Sequence, residues 1–121
     1  YTPVSVGRIT DGTSNTLVLG EKFIPPSLYD VGHWADDKGW NGGWDPDGLR
    51  STCCKFEADR ELVDGAEITA QGYRFGAAHS SGMNAGFADG SVHFLNYDID
   101  LLTFNRLGHR ADGQLASIDS L

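Results

Sequence analysis

The sequence has few cationic residues, no long apolar run and only two cysteines. Nine Lys and Arg residues stand against 17 Asp and Glu residues, so the formal net charge is −8, and the basic residues form no cluster. Nucleic acids and anionic lipid surfaces attract proteins through clustered Lys and Arg, which argues against both as partners. No apolar stretch approaches the ~20 residues of a membrane-spanning helix.

The chain begins with Tyr1 instead of Met and shows no signal peptide. We therefore expect a processed or trimmed fragment whose targeting or anchoring element lies outside it. A length of 121 residues fits one domain, 1–121. Such a domain buries roughly two thirds of the surface of its unfolded chain. Sixteen glycines predict a fold rich in loops and turns.

The stretch NAGFADGSVHFLN, residues 84–96, predicts a β-hairpin. Two short apolar runs flank Asp89-Gly90, and Asp-Gly is a strong signal for a two-residue hairpin turn. Such a turn would place Phe87 opposite Val92. It would likewise pair Ala85 with Phe94, so that these side chains share the face that packs against the core.

The other face of this hairpin would carry His93. In the same register, His93 lies opposite Gly86, and Ser91 lies opposite Ala88. A glycine opposite a large side chain leaves room for the imidazole ring. We therefore assign His93 to packing and hydrogen bonding on this second face.

Asp-Gly pairs recur along the whole chain. Because Asp tolerates turn geometry and Gly supplies a positive φ, each pair predicts a change of chain direction. The five pairs begin at Asp11, Asp47, Asp64, Asp89 and Asp112.

Two further segments have strand patterns. Residues 16–23, TLVLGEKF, are nearly continuous in apolar character and predict a strand in the centre of its sheet. Residues 73–75, Tyr-Arg-Phe, predict a short strand that leads towards the hairpin.

The segment after the hairpin predicts a helix. Asp98 or Asp100 is placed to cap a short helix near 98–107, and Gly108 is placed where that helix would end. Together these elements predict an α+β fold. We expect an antiparallel sheet of about four to six strands, one short helix and long loops rich in Gly, Asp and Trp.

Residues 30–50 form an acidic, glycine-rich loop that is a candidate for binding calcium. Ca²⁺ prefers several carboxylate and carbonyl oxygens from a loop of this kind, although the spacing matches no EF-hand. The alternative is that the same side chains cap turns and face water. The candidate ligands are Asp36, Asp37, Asn41, Asp45 and Asp47.

All three tryptophans, Trp34, Trp40 and Trp44, lie in this loop. Exposed, they would form a stacking surface for sugars or a partner protein. Buried, they would form a small second core that holds a segment with little regular structure. Because so many glycines surround them, we expect at least two of the three to be buried.

The only cysteines, Cys53 and Cys54, are adjacent. Their Cα atoms lie ~3.8 Å apart across a trans peptide, which is shorter than the usual separation in a disulfide. Three states remain open: a strained vicinal disulfide, a link to another chain, or two thiols of which one or both are buried. No C-x-x-C-H haem motif occurs, and a zinc site would need two more ligands from distant histidines.

Motifs of the common enzyme classes are missing. The chain contains no G-x-S-x-G, H-E-x-x-H, P-loop or G-x-G-x-x-G sequence. Ser, His and Asp are abundant in a turn-rich chain and often lie close together by chance, so their presence alone does not indicate a catalytic triad. We predict that the protein is not an enzyme, and we assign His79 to ordering the turn before the hairpin.

Four segments occur in an order that resembles a known family. They are RITDGTSNTLVLGEKF (8–23), GWNGGWDPDGLRST (39–52), RFGAAHSSGMNAGFADGSVHFLNYDID (74–100) and FNRLGHRADGQ (104–114). This order resembles the C-terminal part of a large planctomycete family of secreted, pseudopilin-like proteins of uncharacterised function. The residues that carry the motif are Asp11, Gly12, His79, Asn84, Asp89, Gly90 and His93.

The resemblance implies a β-rich head domain that normally follows a prepilin cleavage segment and one long apolar helix. It implies a non-enzymatic structural subunit, extracellular or in the cell envelope, that associates with its own copies or with other envelope proteins. Contact with a membrane would then occur only through the helix that is missing here. Pseudopilin heads as a class use Ca²⁺ in a C-terminal loop, which favours calcium as a cofactor. The alternative function is a secreted module that uses the Trp/Asp loop for Ca²⁺-assisted recognition of glycans or proteins.

Overall fold

The computed structural model describes residues 3–39, 45–62, 73–114 and 116. Within these residues, no helix combines the length and the apolar character needed to cross a bilayer. Three short 3-10 turns, Val6–Arg8, Thr13–Asn15 and Pro26–Leu28, accompany the regular elements. The strands are β1 (Leu17–Gly20), β2 (Glu57–Ala58), β3 (Gly76–Ala77), β4 (Gly82–Phe87) and β5 (Val92–Asn96), and the helix is α1 (Leu101–Leu107).

The strands form two sheets, which confirms the predicted α+β class. In the described parts of the chain, an antiparallel sheet has the order β1-β4-β5, and β2 pairs with β3 in a small parallel sheet. The antiparallel sheet therefore has three strands there, not the predicted four to six. Strand β1 lies at an edge of this sheet and not in the centre, because it pairs only with β4 in the order of the described strands, and its apolar run is not buried on both faces. Val18 and Leu19 face solvent, and the register shifts between Leu17 and Leu19.

The predicted hairpin is confirmed, but its register differs by one residue. The loop contains three residues, 88–90, because the N–H of Phe87 donates to the carbonyl of Ser91 at 2.9 Å. Gly90 has φ +88° and its N–H donates to the carbonyl of Phe87, which is typical of a three-residue loop with a bulge. Val92 consequently lies opposite Gly86 instead of Phe87.

This shift reverses the two faces of β5. Leu95, opposite Met83, is buried, whereas Val92 and Phe94 point to solvent. The prediction that Val92 and Phe94 enter the core was therefore wrong, while Phe87 is buried as predicted. Side chains alternate along a strand, so a slip of one residue moves each of them to the opposite face.

The tip of the hairpin explains why the longer loop is preferred. The backbone N–H of Ala88 donates to the carbonyl of Thr16 at 2.9 Å, and that of Asp89 donates to the carbonyl of Thr13 at 3.1 Å. Both N–H groups donate to carbonyls of a distant segment, so local turn chemistry alone does not determine the register.

The core is aromatic and lies between the antiparallel sheet and α1. The ring of Phe104 on the helix packs 4.5 Å from Phe56 and 5.9 Å from Phe75, measured between ring centroids. The largest fully buried side chains are Phe56, Met83, Leu95, Phe104 and Leu107. The helix thus packs on the inner face of the sheet, while the outer face is not covered by any of the described residues.

The predicted helix cap is also confirmed. The carboxylate of Asp100 accepts a hydrogen bond from the backbone N–H of Thr103 at 3.0 Å. Hydrogen bonds from the side chain and the backbone of Thr103 lower the pKa of Asp100. The helix ends at Gly108 as predicted, but not through a positive φ. A Cβ at Gly108 would lie 2.1 Å from the hydroxyl oxygen of Thr52, so glycine is required there by a close approach.

Asp11 joins the first and the last Asp-Gly turns. Its buried carboxylate accepts hydrogen bonds from the backbone N–H groups of Asp112 at 2.7 Å and of Gly113 at 3.0 Å. The N–H of Asp11 in turn donates to the carbonyl of Arg110. This contact ties together segments 101 positions apart in the sequence. The glycines with positive φ include Gly12, Gly90 and Gly113, whereas the pair at Asp64 lies outside the described residues.

Candidate functional site

The acidic loop is organised around Asp47. Its Oδ1 accepts hydrogen bonds from the backbone N–H groups of Asp37 at 2.5 Å and of Lys38 at 2.9 Å. Its own N–H donates to the carboxylate of Asp45 at 3.2 Å. The side chain is buried, and the interaction with the side chain of Asp45, followed by the backbone N–H bonds from Lys38 and Asp37, lowers its pKa. Asp47 therefore joins the two ends of the loop.

Cations of the protein itself neutralise much of this loop. Lys22 forms an ion pair with Asp36, and Lys38 lies 3.7 Å from the carboxylate of Asp45. Arg50 donates to the carbonyl of Ala35 at 3.1 Å and also to the carbonyls of Pro46 and Leu49. Burial lowers the pKa of Arg50, while its Coulombic attraction to two loop carboxylates opposes that shift. The protein's own cations thus offset a large part of the negative charge of the loop.

The predicted calcium ligands do not form a metal cluster in the described part of the loop. No group of three or more His, Cys, Asp or Glu side chains in the described ranges is placed to hold a metal ion. One observation still points to a ligand: the Oδ2 atom of Asp47 is buried and has no hydrogen-bond partner there. Asn41 lies outside the described residues.

Trp34 is the one tryptophan that can be placed. Its indole is 39% exposed, and its ring packs 6.0 Å from Tyr73 and 5.3 Å from His33. It is thus packed on one side and open on the other, which is compatible with a partner surface. Trp40 and Trp44 lie outside the described residues.

Two residues of the family-like motif meet at Glu21, which the sequence did not single out. The carboxylate of Glu21 accepts from the backbone N–H of Asn84 at 2.6 Å and lies 3.2 Å from Nε2 of His79. The ring of His79 therefore contacts Glu21, the residue after β1. The backbone carbonyl of His79 accepts a hydrogen bond from the hydroxyl of Tyr97 at 2.9 Å. His79 orders the turn before the hairpin through these two contacts. No local pattern marks Glu21, since its partners come from β4 and the loop before it.

Asp89, Ser91 and His93 form a chain of hydrogen bonds at the hairpin tip. The hydroxyl of Ser91 donates to the carboxylate of Asp89 at 2.6 Å, and these bonds lower the pKa of Asp89. Nε2 of His93 lies 3.1 Å from the same hydroxyl. In a catalytic triad the carboxylate orients the histidine, which takes the proton of the serine. Here the serine hydroxyl donates its hydrogen bond to the carboxylate and not to the histidine, so the arrangement stabilises the turn.

His93 packs as predicted, although on the other face. It lies opposite Ala85 and not Gly86, and its ring stands edge-on to Phe87 at 5.4 Å. Ser91 likewise lies beside Phe87 and not opposite Ala88. Both differences follow from the three-residue loop.

Three large apolar side chains on the outer face of the antiparallel sheet are exposed in the part of the chain that the structure describes. We call Leu19, Val92 and Phe94 the outer sheet patch. Their side chains are 71%, 69% and 52% exposed, respectively. Glycines in β4 leave room for them: a Cβ at Gly82 would lie 2.7 Å from the Phe94 ring, and Leu19 lies against Gly86. The patch is therefore a continuous surface across three strands.

Cys53 and Cys54 are both free thiols, with Cys53 exposed and Cys54 half-buried. Their Sγ atoms lie 3.2 Å apart. Of the three states open from the sequence, the structure has two neighbouring thiols, of which neither is fully buried.

Comparison with known proteins identifies one family. A family model described as a protein of unknown function, DUF1559, matches residues 2–102. No curated protein and no solved structure matches the chain.

Proposed function

The chain belongs to DUF1559, a family of proteins of unknown function, and from that premise we propose that it is a non-enzymatic structural subunit of an extracellular or cell-envelope, pilin-like assembly. The resemblance to secreted planctomycete pseudopilin-like proteins supports the class and the location. The outer sheet patch is the observation on which the proposal depends, because a structural subunit needs a surface that binds its neighbours.

The size and continuity of the patch favour a protein partner. Three large apolar side chains, from β1 and β5, are each more than half exposed on one flat face. Exposed apolar residues that occur singly need no explanation, but contiguous ones mark interaction surfaces. Burying them against another protein removes apolar area from water and stabilises the complex.

The backbone of β5 offers a second means of binding. This strand is at the edge of the sheet among the described strands. Along it, residues whose backbone N–H and C=O groups bond to β4 alternate with residues whose backbone groups point away from β4. Since Ser91 and Tyr97 bond to β4 and its preceding loop, the alternation directs the backbone groups of Val92 and Phe94 to the free edge. An open edge strand binds another extended strand readily.

We take the partner of this edge to be a second copy of the chain. Residues 91–97, SVHFLNY, contain no Asp, Glu, Lys or Arg, although the chain as a whole carries a net charge of −8. A charge-free strand is the part of such a chain that a like-charged copy can approach with the least repulsion. Two antiparallel copies of β5 would be related by a two-fold axis, so the same surface serves both partners.

Sedimentation velocity across a concentration series tests this proposal. We expect the wild-type chain to form larger species as its concentration rises, and more readily at high salt, because salt screens the repulsion between copies. Phe94→Asp places two like charges at the contact and should leave a monomer. Leu102→Asp, at a 57% exposed position on α1, is the matched control and should associate like the wild type.

Circular dichroism of both variants establishes that they are folded. The proposal fails if the wild type stays monomeric over the whole series, or if Phe94→Asp associates as strongly as the control.

A secreted binding module that uses calcium is the second candidate function. The buried, unpartnered Oδ2 of Asp47 is the observation that favours it, because a cation would satisfy that oxygen. In this case the exposed side of Trp34 would provide part of the recognition surface for a glycan or a protein.

Thermal unfolding with and without calcium distinguishes the two functions. Because Lys22, Lys38 and Arg50 already offset much of the charge, and no described group of carboxylates is placed to hold a metal ion, we expect the same Tm in Ca²⁺ and in EDTA. A ligand that binds only the folded state raises Tm. A Ca²⁺-dependent rise that Asp47→Asn abolishes and Asp98→Asn retains would favour the binding module instead.

A further inference from the structure

The two adjacent cysteines lie in a turn that is held on both sides. Before them, the N–H of Ser51 donates to the carbonyl of Tyr73 at 2.7 Å. The buried Thr52 exchanges two hydrogen bonds with Asn105 of α1, each 3.3 Å long. After them, Phe56 is anchored in the core. The thiols therefore sit at a defined position on the surface.

The geometry of the pair is close to that of a reactive dithiol. The Sγ atoms of Cys53 and Cys54 are 3.2 Å apart, and a disulfide bond is about 2 Å long. Closing the pair requires a shift of about 1 Å. Because the residues are adjacent and their Sγ atoms are close, Cys54 can reach a mixed disulfide at Cys53 within the same chain.

The two thiols differ in a way that assigns them different roles. Hydrogen bonds from the Ser51 hydroxyl and from Cys54 lower the pKa of Cys53, with a further contribution from the charge of Arg74. The hydrogen bond with Cys53, together with burial, raises the pKa of Cys54. Cys53 is also the more exposed of the two. The thiolate is the nucleophile in disulfide chemistry, so Cys53 is the attacking group.

A cleft gives a small molecule access to Cys53. Its volume is about 390 Å³, and its lining includes Thr52, Cys53, Asn105 and His109. The lining is rich in hydrogen-bond donors and acceptors, which suits a polar, peptide-like disulfide better than an apolar one.

We propose that Cys53 and Cys54 form a dithiol that reduces low-molecular-weight disulfides and closes to a vicinal disulfide. The Cys53 thiolate attacks one sulfur of the substrate R–S–S–R, which breaks that S–S bond, forms a mixed disulfide and releases R–S⁻ to be protonated by water. Cys54 loses its proton to water and attacks Sγ of Cys53, which releases the second thiolate. The two cysteines lose two electrons and two protons, and the substrate gains them.

The product should be easy to reduce again. The Cα atoms of adjacent residues lie ~3.8 Å apart, below the usual range for a disulfide, and such deviations make a disulfide more reducible. The reaction is therefore reversible with the ratio of thiol to disulfide in the surroundings, and it proceeds independently of self-association.

Intact-mass spectrometry with oxidised glutathione as the probe tests the proposal. The reduced wild-type chain should lose two hydrogen atoms, retain no glutathione and return to its original mass with reduced glutathione. Cys54→Ser should accumulate one stable glutathione adduct at Cys53. Cys53→Ser should react about tenfold more slowly, because the remaining thiol, Cys54, is half-buried and less accessible to glutathione.

A second measurement needs no variant. Phenylarsine oxide bridges two neighbouring thiols, and we expect the folded wild type to bind one molecule and then to resist oxidised glutathione. The proposal is overturned if the wild type keeps glutathione adducts or links into disulfide-bonded dimers. It is equally overturned if the folded chain binds no arsenical.

Discussion

Replacing Leu95 by alanine is expected to lower the free energy of unfolding by about 3 kcal/mol, the typical cost of truncating a fully buried leucine. The Leu95 side chain is 1% exposed and packs in the aromatic core opposite Met83. Its removal leaves a cavity between the sheet and α1 that the neighbouring rings fill only in part. Urea denaturation followed by circular dichroism measures the loss.

The adjacent residue provides the matched control. Phe94→Ala removes a larger side chain from the same strand, yet we expect a loss below about 1 kcal/mol, because the ring is 52% exposed on the outer sheet patch. The comparison tests the hairpin register directly. A two-residue turn would bury Phe94 and expose Leu95, so a larger loss for Phe94→Ala than for Leu95→Ala would contradict the three-residue loop.

Replacing Asp11 by alanine is expected to cost about 3 kcal/mol. The change removes the buried acceptor of the backbone N–H groups of Asp112 and Gly113, and each of the two lost hydrogen bonds is to a charged group. Asp11→Asn should fall between the wild type and Asp11→Ala. Its carboxamide retains one acceptor oxygen but turns an NH₂ group towards a second donor.

Asp98→Ala controls for the loss of one negative charge. Asp98 is exposed, so its replacement should change the free energy of unfolding by less than about 0.5 kcal/mol. If Asp11→Ala is as stable as this control, then the carboxylate does not join the two ends of the chain. Chemical denaturation of all three variants under the same conditions provides the comparison.

The hairpin shows which structural features a local sequence pattern predicts and which it does not. Asp89-Gly90 predicted both the turn and the positive φ of the glycine correctly. The number of loop residues depended on Thr13 and Thr16, whose carbonyls accept from the N–H groups of Ala88 and Asp89. Two loop lengths are compatible with the same dipeptide, so a contact with a distant segment selects between them.

Strand β1 illustrates the same limit for sheet position. The run TLVLGEKF has the composition of a buried central strand, yet Val18 and Leu19 are exposed at a sheet edge. Composition reports which side chains prefer burial. It does not report whether the fold supplies a layer to cover them, and here the outer sheet patch remains exposed.

The candidate sites also include some that the sequence identified and others that only the structure revealed. The sequence identified Asp47 and the cysteine pair because unusual residues stand close together in it. It gave no sign of Glu21, whose carboxylate connects Asn84 and His79, because these residues are 63 and 58 positions away from it. Nor did it indicate that Lys22 and Arg50 neutralise the acidic loop, since neither lies within the run of aspartates.

The amino-acid sequence by itself determined the features whose cause lies within a few residues: the Asp-Gly turns, the Asp100 cap and the adjacency of the two thiols. Only the tertiary structure decided the face that each β5 side chain occupies, the edge position of β1 and the partners of Asp11. Turn and cap geometry arise from the torsion angles and hydrogen bonds of neighbouring residues, whereas register, burial and long-range pairing depend on which distant segment supplies the opposing surface.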